Sequence, residues 1–379
     1  MRATSEAPRT MSHAAWDGAG EARCAPSVAA TARRSRIESI GVRLPEQRLG
    51  TAELMQRCRR AARVDLAALT GIRERRVCRE GEDSLSLAVD AAWDCLSRSR
   101  HSPADLDVLI SCSITKYVDG LSYRFEPALS LSIKEALGAS HCFNFDITNA
   151  CAGMLTGISI LDGMIRTGRV RCGMVVSGEY ITSIADNAVR SVRSIASRQL
   201  ASLTVGDSGA AVIIDRAQGP DEGIHACELV TIAEHSGLCI GKPFRKGPGA
   251  AMHTRAKKLH QEAIAHAPPM IQRTLDRAGW GIEEVDVLIP HQTSVRAIRA
   301  GQKHFSTALG GWARETVNNL DAVGNTASTT HFVALHRYLR EGRLRAQDRV
   351  MLLGFASGIV VGALAFQVGE LGGEHARGH

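Results

Sequence analysis

Apolar residues along this chain fall into short runs bounded by turn residues, and segments with helical spacing lie between them. That alternation specifies an α/β architecture. The segment Arg36 to Pro45 predicts a first strand and turn, and Glu53 to Ala68 and Ser84 to Ser97 predict amphipathic helices. Further on, Phe143-Asn144-Phe145-Asp146-Ile147-Thr148 predicts a strand. A tight turn follows at Asn149 to Gly153, and Leu155, Ile158, Ile160, Leu161 and Ile165 then carry the spacing of a buried helix.

Several of these runs recur later in the same order. Leu106 to Cys112 matches Val285 to His291, and Gly173 to Gly178 matches Val350 to Phe355. Gly209 to Ile214 matches Val361 to Phe366, and Asp146 to Cys151 is aligned with Asp321 to Asn325. The pattern predicts two similar halves, 36–220 and 221–371, with the seam at Gly219 to Gly223, a cluster of turn formers. It places the strand–turn elements carrying Cys151 and Asn325 at equivalent positions facing each other. Gly241 to Gly249, which holds two prolines, reads as a loop near an entrance. Residues 1–35 lack periodicity and an apolar core segment, so they are expected to be a disordered extension or the product of an early start codon rather than a secretory signal. Residues 372–379 read as a tail.

Composition narrows the class. Of 379 residues, 44% are hydrophobic and 22% charged, enough for a large core. Only 4% are aromatic, as expected where Ala, Val, Leu and Gly pack helices against buried strands. No run approaches the length of a membrane span, so no membrane partner is expected. The formal charge is +7, with basic clusters at Arg57 to Arg60, Arg73 to Arg79, Lys242 to Lys246 and Arg255 to Lys258. No nucleic-acid motif or interleaved aromatics accompany them, which argues against nucleic acid. The ten cysteines show no Cys-x-x-Cys pair and no Cys/His ligand spacing, which predicts no metal, no disulfide framework and a reducing cytoplasm.

Cys151 stands apart from the other nine. Its place in the turn before a buried helix exposes it to the positive helix end and to unpaired N–H groups, which predicts a favoured thiolate. Ala150, Ala152 and Gly153 leave room for a carbonyl to approach the sulfur. Two companions follow in the chain: His291, after the apolar run ending in Pro290, and Asn325, in Gly324-Asn325-Thr326. A Cys–His–Asn set supplies a nucleophile, a proton acceptor and donor, and a neutral amide that polarises a carbonyl. A papain-like hydrolase shares these residue types, but its sequence around the cysteine is absent.

Five segments together resemble the ketosynthase III-type condensing enzymes of the thiolase fold. They are Thr70 to Arg76, Asp146 to Gly153, Leu203 to Ala211, Pro290-His291-Gln292 and Gly324-Asn325-Thr326. The likeness extends from about residue 36 to 369. It implies a duplicated αβαβα fold with Cys151 acylated. His291 and Asn325 would hold the second substrate's thioester carbonyl and its enolate, and N–H groups at Cys151 and near Gly354 to Ser357 would form an oxyanion hole. Fatty-acid-initiating members usually carry a Trp and an Arg just before the Thr-Gly-Ile-Arg segment to clamp coenzyme A. Here Asp65 to Leu69 stand instead, so phosphopantetheine on an acyl carrier protein is the expected donor and no separate cofactor is expected. Lys242, Arg245, Lys246, Arg255 and Lys257 are the candidate contacts to that acidic carrier.

The segment Phe125-Glu126-Pro127 resembles that of head-to-head condensing enzymes that make pyrone and dialkylresorcinol precursors. In those relatives a glutamate at this place reaches across a homodimer as the α-proton base. By that resemblance Glu126 enters an apolar pocket, where burial raises a carboxylate's pKa. The expected reaction is Claisen condensation of an acyl group on Cys151 with a carrier-bound β-ketoacyl thioester. Two other outcomes stay open: decarboxylative condensation with malonyl-carrier protein, without a role for Glu126, and a non-catalytic ketosynthase partner subunit. Such subunits typically lack one of the Cys, His and Asn residues that this chain keeps.

Overall fold

The computed structural model describes residues 34–58, 64–219 and 221–369. The expected extension, apart from Arg34 and Ser35, and the tail lie outside them. In chain order the first half comprises β1 (Ser35–Arg43), β2 (Arg48–Gly50), α1 (Thr51–Gln56), α2 (Leu66–Thr70), β3 (Glu74–Arg76), α3 (Ser84–Ser97) and β4 (Val108–Ser111). It continues with β5 (Tyr117–Val118), β6 (Ser122–Tyr123), α4 (Leu129–Leu137), β7 (Phe143–Asp146), α5 (Gly153–Arg166), β8 (Cys172–Glu179), α6 (Ser183–Ala188) and β9 (Ser208–Arg216). The second half comprises β10 (Gly223–Thr231), β11 (Cys239–Pro243), β12 (Ala250–Thr254), α7 (Ala256–Ala278), β13 (Val287–Pro290) and α8 (Val295–Leu309). It ends with β14 (Glu315–Thr316), α9 (Leu320–Val323), α10 (Thr330–Arg340), β15 (Arg349–Ala356) and β16 (Val360–Gln367).

The two large sheets repeat one design. One runs β1-β9-β8-β4-β7 and the other β10-β16-β15-β13-β14, each mixing parallel and antiparallel neighbours in the same order. Even the irregularities match. β1 shifts register between Ile37 and Ser39, and β10 shifts between Ile224 and Ala226.

Layering follows from which faces are apolar. α5 buries Met154, Leu155, Ile158, Leu161 and Ile165, and α10 buries Phe332, Ala334 and Leu335, in one core with the inner faces of both sheets. Each such buried side chain contributes roughly 1.5–3 kcal/mol. α3 and α4 cover the outer face of the first sheet, and α7 and α8 that of the second. This is the duplicated αβαβα arrangement.

Local chemistry explains where single elements depart from expectation. The helix expected over Glu53 to Ala68 is split into α1 and α2, the second started by Asp65, whose carboxylate accepts the Ala68 N–H at 2.8 Å. An aspartate at that place competes with a continuous helix by making its own cap. α3 matches expectation and opens on a capping box between Asp83 and Ser86. The expected loop at Gly241 to Gly249 begins inside β11, and β11 and β12 form a hairpin pairing Cys239 with Thr254 and Pro243 with Ala250. The turn alone spans 244–249.

The fourth sequence match needs a new register. A short 3-10 turn, Ala150–Ala152, precedes α5, and another, Ala327–Thr329, precedes α10. Both open on an alanine with positive φ, 45° at Ala150 and 57° at Ala327. The counterpart of Cys151 is therefore Ser328, and Asn325 lies just before its turn. Nor does Asn325 follow an apolar strand directly, because α9 intervenes between it and the two-residue β14.

Candidate active site

Cys151 sits in the middle of the turn joining β7 to α5. The turn is closed by Ala152 N–H donating to the Asn149 carbonyl at 3.0 Å, and Asn149 Nδ2 donates to Thr156 Oγ1 at 2.8 Å. Gly153 is required here: a Cβ on it would stand 2.8 Å from the Cys112 carbonyl oxygen, so no larger residue fits so tightly against the end of β4. The sulfur is partly buried among apolar neighbours.

His291 follows β13 and is only 4% exposed. Its N–H donates to the Leu353 carbonyl at 2.8 Å, which also accepts from His331 Nε2 at 2.9 Å. The two imidazole centroids are 5.7 Å apart, and Nδ1 of His291 is buried without a hydrogen-bond partner. Gln292 is the brace of this element. Its Nε2 donates to the Pro290 and Val317 carbonyls at 2.7 and 3.1 Å, and its Oε1 accepts the Asn319 N–H at 3.0 Å.

Asn325 is held by the first half of the chain. Its N–H donates to the Thr204 carbonyl at 2.9 Å and its carbonyl accepts the Gly206 N–H at 3.0 Å. Asn325 Oδ1 accepts the Ala327 N–H at 3.0 Å, which leaves Nδ2 without a protein acceptor among the described residues. Gly324 makes this possible with φ 68°, and a Cβ on it would meet the Thr204 oxygen at 2.8 Å. Beneath it the Thr70 to Arg76 motif serves as a platform. Arg75 is fully buried and donates to the Leu203 carbonyl and Thr51 Oγ1, while Arg73 pairs with Asp321 at 2.9 Å.

The three side chains line one cavity of about 1110 Å3, just above the ~300–1000 Å3 usual for small-molecule sites. Phe355, Ala356 and Ser357 line it beside Cys151, and Ala356 packs on Ala152. Leu288, Gly301, Phe305 and Trp312 add an apolar part to the cavity's lining. Leu66 and Leu69 of α2, in the stretch just before the Thr-Gly-Ile-Arg segment, line its wall.

Electrostatics correct the expected thiolate. Burial pushes the Cys151 thiol well above its ordinary value, and Cys239 and Glu179 push the same way. Burial, assisted by His331, pushes the His291 imidazole down to about 3. At neutral pH the resting pair is a thiol and a neutral imidazole, since the helix end acts on only one of several opposing influences. Such an imidazole can accept the thiol proton as the sulfur attacks.

Glu179 gave no signal in the sequence beyond its place in an apolar run. It is fully buried and accepts from Ile114 N–H at 2.9 Å, Thr115 N–H at 3.1 Å, Ser177 Oγ at 3.1 Å and Ser328 Oγ. Burial raises its pKa against those hydrogen bonds. It thus joins the first half to the turn that mirrors Cys151.

The basic candidates divide. Arg255 and Lys257 line the cavity mouth, joined by Arg198, Lys258 and Arg296, which the sequence had not singled out as contacts. Lys242, Arg245 and Lys246 are exposed on β11 and its turn, outside the lining. Glu126 is also outside it, exposed in the loop between β6 and α4.

Comparison with known proteins agrees with this fold. Residues 145–232 match the family described as 3-oxoacyl-[acyl-carrier-protein] synthase III, and residues 275–368 match its C-terminal part. A β-ketoacyl-[acyl-carrier-protein] synthase III of Symbiobacterium thermophilum is 29% identical over 344 residues, covering 88% of this chain and 98% of that one. Its counterpart in Rhizorhabdus wittichii is 26% identical over 342 residues, covering 88% and 99%. The fold is similar to that of OleA from Xanthomonas campestris, with a TM-score of 0.77, 23% identity and coverage of 89% of this chain and 100% of that one. It is also similar to 3-oxoacyl-[acyl-carrier-protein] synthase III from Aquifex aeolicus, with a TM-score of 0.75, 23% identity and coverage of 88% and 100%. The two matched family segments, the similar synthases and the shared fold support a ketosynthase III-type condensing enzyme of the thiolase superfamily, an acyltransferase.

Proposed function

We propose that Cys151 takes an acyl chain from a carrier-bound thioester and that a second, carrier-bound β-ketoacyl thioester then attacks it to form a carbon–carbon bond. The observation that carries this reading is the convergence of Cys151, His291 and Asn325 on one roomy, largely apolar cavity with a basic mouth. In the first half-reaction His291 accepts the thiol proton while Cys151 attacks, and N–H groups at Cys151 and near Ala356 receive the oxyanion. In the second, Asn325 Nδ2 and His291 hold the donor carbonyl as its enolate forms. That carbanion attacks the acyl-Cys151 carbonyl and releases the thiol. Acyl carrier protein is the donor, because apolar Leu66 and Leu69 offer coenzyme A neither stacking nor charge. Arg255, Lys257, Arg198, Lys258 and Arg296 suit an acidic carrier at the mouth. The unpaired thiols of the nine described cysteines suit a reducing cytoplasm, and no helix among the described residues is long and apolar enough to cross a membrane.

Glu126 acts, in this reading, in the partner subunit of a homodimer. Its loop carries Phe125, 83% exposed, stacked edge-on to Tyr123 at 5.0 Å. The start of α4, where the loop ends, is fastened to edge strand β7 by Asp146, which accepts Leu129 and Ser130 N–H groups at 3.1 and 2.9 Å and pairs with Lys116 at 2.7 Å. β7 itself exposes Phe143 and leaves one backbone edge open, so loop and strand present one apolar face suited to a second copy. The names of the similar synthases favour a second reading, decarboxylative condensation with malonyl-carrier protein. Glu126→Ala separates the two. Normal acylation with condensation of a β-ketoacyl donor lost supports the base; unchanged condensation of that donor removes Glu126 from the mechanism.

A further inference from the structure

The cavity holds a second thiol. Among the described cysteines, Cys151 and Cys239 alone line it. Cys239 opens β11 opposite Thr254 of β12, with its sulfur 3.3 Å from Thr254 Oγ1. Side chains alternate along a strand, so Met252 and Thr254 share one face of the hairpin with Cys239. Met252 packs in the cluster that also contains Cys151, and Cys239, Met252 and Thr254 all line the cavity. The hairpin therefore turns Cys239 toward the nucleophile. The electrostatics agree: after burial itself, Cys239 is the group that most disfavours a thiolate at Cys151. Of the remaining described cysteines none lines the cavity, and Cys58, Cys95, Cys112, Cys142 and Cys172 are buried.

We propose that Cys239 and Cys151 form a redox couple within the cavity, closed by an anionic low-molecular-weight disulfide that enters through the basic mouth. The Cys239 sulfur displaces one half of the reagent, R–S–S–R, giving Cys239–S–S–R and one thiolate, which takes up a proton. Cys151 then attacks the Cys239 sulfur, its own proton passing to the departing group, and the second R–SH leaves. Two protein thiols are oxidised and one reagent disulfide is reduced to two thiols, so atoms and electrons balance. The product ties up the sulfur that accepts acyl groups and keeps it recoverable by a dithiol. Arg198, Arg255, Lys257 and Lys258 at the mouth supply the attraction for a carboxylate-bearing reagent such as oxidised glutathione.

The test uses the reduced full chain, oxidised glutathione, alkylation of the remaining thiols and peptide mapping. The couple predicts a peptide pair linked through Cys151 and Cys239 and an intact mass lowered by two hydrogens without retained glutathione. Acylation is lost in the same proportion and restored by dithiothreitol. In Cys239→Ser, with folding checked by thermal melting and recovery read against its own untreated acylation, no internal link forms. Glutathione retained on Cys239, or a link between other cysteines, overturns the proposal. Because a disulfide spans Cα separations of about 4.4–6.8 Å, absence of the link in wild type overturns it whether or not the variant folds. The link is read by mass alone, so it stands or falls separately from acyl transfer.

Discussion

Cys151 and His291 are both uncharged at rest, and that shapes what each does. In the proposed reaction a thiol and a neutral imidazole that line one cavity make nucleophilic attack and proton transfer one event, so acylation should depend on His291 more than on pH near neutrality. Asn325 has a different place in the proposed reaction: Oδ1 accepts the Ala327 N–H, and Nδ2, without a protein acceptor among the described residues, is left to donate to a carbonyl. Asn325→Ala should lower condensation about 10²–10³-fold while leaving the mass gain from acylation in place; equal loss of both steps speaks against a carbonyl-binding amide. The residue types and order of Cys151, His291 and Asn325 were legible in the sequence because each stands in a short motif at a turn. The protonation state was not, since it depends on burial by segments distant in the chain. Glu179 was hidden for the same reason: nothing nearby in sequence announces the Ser328 hydroxyl it accepts.

The buried imidazoles also set a pH dependence. His331 is fully enclosed and burial pushes it down to about 4, with the Leu353 carbonyl opposing. The unfolded chain takes up a proton on this ring near pH 6.5 and the folded chain does not until near 4. Between those values the unfolded state holds more protons, and stability falls as pH falls. The contribution is about 1.4 kcal/mol per pH unit within that window. Chemical denaturation of His331→Asn between pH 6 and 5 should show a shallower loss than wild type by about that amount; parallel slopes contradict a neutral buried ring.

At the scale of elements, the strands and the long helices were readable because period and length agree in them. The short pieces that place the site were not. Val317, Leu320 and Val323 are apolar for packing in a segment too short to declare a period, so α9 was missed and Asn325 was tied to a strand. A single capping aspartate split the helix before the Thr70 to Arg76 platform. These pieces carry the site's precision, and Gly324 is the sensitive point. Gly324→Ala forces a side chain into φ 68° and onto the Thr204 oxygen. It should cost about 1–3 kcal/mol by denaturant titration and reduce condensation more than acylation. A neutral effect on both contradicts the tight seating of the Asn325 turn.

For the whole molecule, duplication is the organising fact. Two copies of one sheet order sandwich α5 and α10, and the segments leading into these helices bring Cys151 and Asn325 to one cavity from opposite halves. The repeat was legible in matched apolar runs, but its register at the turns came from backbone conformation, which sequence spacing does not encode. Charge belongs to this scale as well. Reversal at the mouth, Arg255→Glu with Lys257→Glu, should raise KM for acyl carrier protein about tenfold or more while kcat changes little, and added salt should weaken the wild-type interaction. An unchanged KM moves carrier docking elsewhere, with Lys242, Arg245 and Lys246 next to test.

All of this turns on Cys151 receiving the acyl group. The direct measurement is the intact mass of reduced protein after incubation with a defined acyl-carrier protein, alongside Cys151→Ala. The account predicts a gain equal to the acyl group in wild type and none in the variant. No gain in wild type, or the same gain in Cys151→Ala, contradicts it.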